Sequence, residues 1–355
     1  MPDPATASQP LLVPNGNGAI DPLPSPPIRF PRNLADFCAV WTLKSVVRIY
    51  TTFLHILSFL GLRPRPSLTR TYSCAPHSPV RIFLPPTSPT GTETLPPLLI
   101  SVHGGGYALC APIIDDADAI IYAHNHRIAV ANVGYRLAPR SRFPNQVHDV
   151  VALVQAILDD GALPVDRSRV AICGYSAGGN LCLAASQLQG LGESGRIKGA
   201  VSFYPVVDFS LDHAERVARA QASVASDAPN QSFGWVRWGY VAESQDLRDP
   251  LLSPMFAARS KLPQKVCLIG CELDMLCDEA ERMAEKLAAE EGEGRKMSEG
   301  EAGWRTKNVR WEKVLAQPHG FNQIVAFGEK RRVARRRTEK MHAEVAKWLY
   351  EEVFV

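Results

Sequence analysis

The chain has 355 residues and a mass of 38.9 kDa, enough for one large α/β domain with a sizeable core or for two smaller ones. Its net charge of +3 is too small for its length to imply a nucleic-acid partner, and the basic run Lys330 to Lys340 leads into helically spaced apolar residues, so it reads as a solvated helix face. Eight cysteines without close Cys-x-x-Cys pairs imply free thiols in a reducing, cytoplasmic compartment rather than a disulfide framework.

Residues 1–32 form a Pro-rich tail, predicted to be disordered, with nine prolines by position 31 and no apolar stretch long enough for a secretory leader; the protein is not expected to be secreted. Residues 33–66 follow as an amphipathic helix. Its core, "DFCAVWTLKSVVRIYTTFLHILSFLGL" (36–62), is apolar, but Lys44 and Arg48 argue against a membrane span. Two readings stay open here: a helix packed over the protein's own pocket, or one in peripheral contact with a membrane surface.

From residue 67 to the C-terminus the pattern is one of Val- and Ile-rich runs alternating with helical patterns. Strands are predicted at 80–84, 98–102, 127–133, 169–173, 197–203, 265–270 and 309–315, and helices at 145–160, 178–188 and 278–290. This alternation predicts a mostly parallel twisted sheet with helices on both faces, whose chemistry gathers at the carboxyl ends of the strands. Residues 291–308 read as a surface-loop insertion.

Gly174-Tyr175-Ser176-Ala177-Gly178 stands between a strand and a helix. A Gly-x-Ser-x-Gly pentapeptide arises by chance in roughly one chain in ten of this length, so its setting carries the argument. A sharp strand-to-helix turn would lift the Ser176 hydroxyl above the sheet and aim the Ala177 amide at the same space. A second glycine cluster, His103-Gly104-Gly105-Gly106, ends the strand at 98–102 and offers backbone amides to an oxyanion. A serine nucleophile needs a base, and the base an orienting acid. His319, in "AQPHGF" after the last predicted strand, suits the base. Asp274, after the strand at 265–270, suits the acid, with Asp208 and Asp278 as alternatives.

With these motifs in order, "HGGGYAL", "VGYRLAPRSRFPNQVHDV", "GYSAGGN", "DPLLSP", "CELDMLCDEA" and "HGF", the chain resembles the hormone-sensitive-lipase branch of the α/β-hydrolases over roughly residues 78–350, with its Pro-rich tail and insertion similar to fungal members. The resemblance implies Ser176 as nucleophile, His319 as base and Asp274 as its orienting acid, with Gly104, Gly105 and Ala177 as oxyanion hole, and ester hydrolysis through an acyl-enzyme with no cofactor and no metal. It also implies a helical cap insertion at about 209–246. Pocket candidates are Tyr107, Tyr175, Phe233 and Trp238, walling a site for a neutral, fairly hydrophobic ester or lactone; a natural-product tailoring esterase is one form of this reading. Acyl transfer, dehydration or lactone chemistry at the same serine is the alternative, and a non-catalytic small-molecule receptor the remoter one. Against the family pattern, Tyr175 precedes the serine where many relatives carry Asp or Thr, and Arg140 replaces an acidic residue.

Overall fold

The computed structural model describes residues 34–86, 94–220, 227–292, 294–297, 302–323 and 328–355. The tail predicted at 1–32 lies outside them. Continuous apolar runs make the central strands β3 (Pro97–Val102), β4 (Ala129–Val133), β5 (Asp166–Tyr175), β6 (Gly199–Phe203), β7 (Lys265–Cys271) and β10 (Val309–Val314). These pair in parallel in the order β4-β3-β5-β6-β7-β10. Antiparallel strands extend both edges: β1 (Leu68–Arg70) and β2 (Val80–Phe83) beyond β4, and β9 (Ala302–Arg305) and β8 (Lys296–Met297) beyond β10. Part of the stretch predicted as a surface loop at 291–308 is therefore sheet. Trp304 and Trp311 pair across β9 and β10 and are both buried, which the Gly- and Glu-rich composition concealed.

Helices cover both faces because the strands are apolar on both. Along β5, Val170 and Ile172 face the core shared with α3 (Asn145–Asp159), α4 (Ala177–Ser186) and α7 (Cys277–Glu291). Ala171, Cys173 and Tyr175 alternate to the opposite core, to which α2 (Asp116–Ile120) adds Ala119 and which α8 (Gly328–Trp348) closes with Met341, Val345 and Trp348. The basic run does start α8, and its cations are largely solvated. All eight cysteines are free thiols.

Above the carboxyl ends of the strands lie α1 (Leu34–Phe59), α5 (His213–Arg219) and α6 (Ala228–Tyr240). Helix α1 packs on α6, where Phe37 meets the edge of Trp238 at 6.1 Å. Lys44 reaches inward to donate hydrogen bonds to the carbonyls of Ala108 and Ala138, both at 2.7 Å. Arg140 lies over the Trp41 ring at 5.1 Å, so the residue that departs from the family pattern holds the N-terminal helix through a cation–π contact. No helix among the described residues is long and apolar enough to cross a membrane.

Candidate active site

Close backbone approach explains the glycines around Ser176. A Cβ on Gly174 would sit 2.1 Å from the Gly178 carbonyl oxygen, and one on Gly178 would sit 2.0 Å from that of Val102. Only bare backbone lets β5 turn so tightly into α4. The turn places Ser176 at φ 55° and ψ −118°, an unfavourable region for a residue with a side chain, with its amide bonded to the Phe203 carbonyl at 2.9 Å.

The hydroxyl of Ser176 lies 2.8 Å from His319 Nε2, and His319 Nδ1 lies 2.7 Å from Asp274 Oδ2. A carboxylate only accepts, so Nδ1 carries the proton toward Asp274 and Nε2 is left to accept from Ser176. Asp274 is buried, and its second oxygen accepts the Leu276 amide at 2.9 Å. The β7 and β10 loops that carry acid and imidazole are tied together, Leu273 N donating to the Gln317 carbonyl at 3.0 Å and Ala316 N to Glu272 at 2.7 Å. Burial would lower the His319 pKa, but the charge and hydrogen bond of Asp274, reinforced by the charge of Asp227, together raise it above its ordinary value.

Asp227 was missed in the sequence. Its carboxylate accepts the Met275 amide at 3.1 Å, and burial together with the charge of Asp274 pushes its own pKa up to about 6. The only local signal was the Asp-Ala-Pro start of a helix, ordinary capping chemistry. Of the alternative acids, Asp208 accepts from the Ser210 amide and hydroxyl in a local turn, and Asp278 stands in the first turn of α7 facing Arg219 and Arg282. Neither touches His319.

Ser176, Ala177 and His319 open onto a cavity of about 510 Å³. Its glycine wall is Gly105 and Gly106; Gly104 lies beneath, where a Cβ would come 2.8 Å from the Tyr175 carbonyl oxygen. His103 braces this loop: burial drops its pKa to about 4, so the ring is neutral, and Nδ1–H donates to the Gly104 carbonyl at 2.7 Å while Tyr135 stacks on it. Tyr107 and Phe233 line the cavity. Tyr175 and Trp238 do not, which corrects two expected pocket positions. Strand alternation sends Tyr175 to the α8 side of the sheet, where it stacks on Phe203 at 4.7 Å, and Trp238 turns toward α1. Trp235, Val236, Phe209 and Met275 supply apolar wall, and α1 contributes Ala39 and Leu43. Arg216 also lines it, paired with Glu279 at 2.5 Å and bonded to the Asp208 carbonyl, both side chains of the pair almost fully buried.

A roomier cavity of about 650 Å³ lies behind the glycine loop, bounded by His55, Arg136 and His148. It reaches neither Ser176 nor His319, so the chemistry belongs to the smaller one. Among the described residues no cluster of three or more His, Cys, Asp or Glu could hold a metal ion.

A family profile described as "alpha/beta hydrolase fold" matches residues 99–303, more than half of the chain. The chain belongs to the α/β-hydrolase family. Its ordered motifs place it in the hormone-sensitive-lipase branch, as the resemblance implied. It is 33% identical over 213 residues to an arylesterase of Saccharolobus solfataricus, covering 59% of this chain and 66% of the relative. It is 30% identical to an ethyl acetate hydrolase of Pseudomonas putida over 59% of this chain and 65% of that protein. The matched stretch thus spans just under two thirds of each relative. A thermophilic carboxylesterase from a metagenomic library superposes with a TM-score of 0.68 over 87% of this chain and 97% of its own, at 24% identity, a likeness of fold.

Proposed function

We propose that the protein is a serine carboxylic-ester hydrolase acting through an acyl-enzyme. The observation that carries this reading is the unbroken line Ser176–His319–Asp274, with contacts of 2.8 and 2.7 Å, at the floor of an apolar cavity. Ser176 Oγ attacks the ester carbonyl carbon as its proton passes to His319 Nε2, and Asp274 stabilises the imidazolium that forms. The carbonyl oxygen takes up the negative charge and is held by the amides of Gly105, Gly106 and Ala177, aided by the N-terminal end of α4. The assignment moves one residue along from the expected Gly104, since Gly104 lies outside the cavity wall. The imidazolium returns its proton to the departing alcohol, and a water then repeats the sequence to release the acid and free Ser176. No step calls for a cofactor.

The wall of Leu43, Tyr107, Phe209, Phe233, Trp235 and Met275 supports a neutral, fairly hydrophobic acyl or alcohol group. Arg216 does not contradict this, because Glu279 answers its charge inside the wall. The arylesterase and ethyl acetate hydrolase among the relatives are consistent with such substrates. Hydrolysis of p-nitrophenyl butyrate tests the reading: the wild type turns over, and Ser176→Ala, still folded by circular dichroism, loses on the order of 10⁴-fold or more in kcat. Turnover by the variant at the wild-type rate would remove Ser176 from the mechanism.

A further inference from the structure

Large apolar side chains exposed among the described residues are concentrated on one element. Ten of the seventeen lie between Leu34 and Leu62, that is on α1 and the turn that follows it. Within α1 they form a stripe, Val46, Ile49, Phe53 and Ile56, which Leu60 continues one turn further at the same alternating spacing of three and four residues. Ile49 is 72% exposed and Phe53 51%. The opposite face, with Val40, Thr51, Leu54 and Ser58, is buried against the protein. A contiguous apolar stripe of this length is uncommon on a surface facing only water.

The charge around the stripe selects its occupant. From Phe37 to Thr92 the sequence contains no Asp or Glu, while Lys44, Arg48, Arg63, Arg65, Arg70 and Arg81 all fall within it. Lys44 is turned inward to two carbonyls, Arg81 is paired with Asp116 and Arg65 donates to the carbonyls of Ser58 and Phe59, but Arg48 is exposed beside the stripe and Arg63 stands just past its end. Two copies meeting stripe to stripe would bring cations together with no carboxylate from this stretch to offset them. An anionic lipid surface offers both an apolar layer for the stripe and phosphate or carboxylate groups for the arginines.

We propose that the outer face of α1 docks the protein onto anionic membranes, the helix lying in the headgroup–acyl boundary. Ala39 and Leu43, exposed residues on the flank of the same helix between the stripe and the buried face, line the Ser176 cavity, so docking would set that wall beside the lipid. This goes beyond the ester-hydrolase reading and stands without it.

Co-sedimentation with vesicles of phosphatidylcholine mixed with phosphatidylserine, against phosphatidylcholine alone, tests the proposal on the full chain. Binding to the mixed vesicles is expected, weaker by on the order of tenfold or more in I49S/F53S/I56S. Arg48→Gln with Arg63→Gln should weaken it about fivefold per charge, and only on the anionic vesicles. All these side chains point away from the cavity, so hydrolysis of a short soluble ester should be unchanged, which separates this result from failure of the catalytic reading. No binding by the full chain, or binding that ignores the triple substitution, overturns the proposal. So does a concentration-dependent dimer in analytical ultracentrifugation that the triple substitution abolishes, which would give the stripe to a second copy.

Discussion

At the rim where β5, β7 and β10 end, the chain is held by contacts with no slack: side-chain bonds of 2.7 and 2.8 Å, and glycines whose Cβ would fall 2.0–2.1 Å from a carbonyl oxygen. The cap above it is built otherwise. Helix α1 meets α6 through an aromatic edge at 6.1 Å and is tied to the loops beneath by Lys44 on the carbonyls of Ala108 and Ala138 and by Arg140 on Trp41, and it keeps an apolar face toward the outside. The rim fixes angles, which the chemistry of one hydroxyl requires. The cap encloses space and presents a surface, and many side chains serve that equally well. Substitutions at the rim should therefore cost turnover or folding outright, and those in the cap should change preference.

The largest effect after loss of Ser176 is expected for Asp274→Asn. An amide in place of the carboxylate can hold the imidazole in the wrong tautomer, and kcat should fall on the order of 10³–10⁴-fold with little change in KM. A smaller loss in steady-state kinetics would mean that another group orients His319. Next comes Glu279→Ala, which leaves Arg216 charged and unanswered in the interior. Urea denaturation should show about 3–5 kcal/mol less stability; an effect near zero would mean that water reaches Arg216.

In the cap, Phe233→Ala should leave hydrolysis of p-nitrophenyl acetate almost intact. It should change kcat/KM for longer acyl chains by about tenfold, as one removed apolar wall of 1–3 kcal/mol allows. An equal loss for every chain length would give Phe233 a structural rather than a selective part.

The mildest prediction concerns Asp227. The proposed mechanism requires neutral His319, whose pKa is raised, so kcat/KM should fall as pH drops through that raised value. The charge of Asp227 contributes to the elevation. In Asp227→Asn the imidazolium loses that support, and the acid limb should move to lower pH while the maximal rate changes little. An unmoved limb in the pH profile would separate Asp227 from the imidazole.

How far the sequence could be read follows the same division. Ser176, Asp274 and His319 were visible because the strand-to-helix turn and the strand-end loops each demand a residue type that few others can replace, and the parallel core was visible from its Val and Ile runs. The cap was not. Which of Trp235 and Trp238 faces the cavity depends on how α6 lies against α1, a tertiary matter that aromatic content cannot encode. Tyr175 misled for a different reason: it adjoins the serine in sequence, yet strand alternation sends it through the sheet. Asp227 stayed hidden because a carboxylate at a helix start reads first as a cap. Of the two readings of residues 36–62, the one that packs the helix over the cavity is supported by Ala39 and Leu43 in its lining, and the membrane contact rests on the proposal above.

The central claim is that the Ser176 hydroxyl is made nucleophilic by His319 and Asp274. Mass spectrometry of the protein after exposure to a p-nitrophenyl alkylphosphonate tests it most directly. One covalent phosphonyl adduct is expected, located on the peptide that carries Ser176, forming more slowly as pH falls through the raised pKa of His319 and absent in Ser176→Ala. An unmodified Ser176 in protein that still hydrolyses esters, or an adduct that forms on another residue and abolishes turnover, would contradict it.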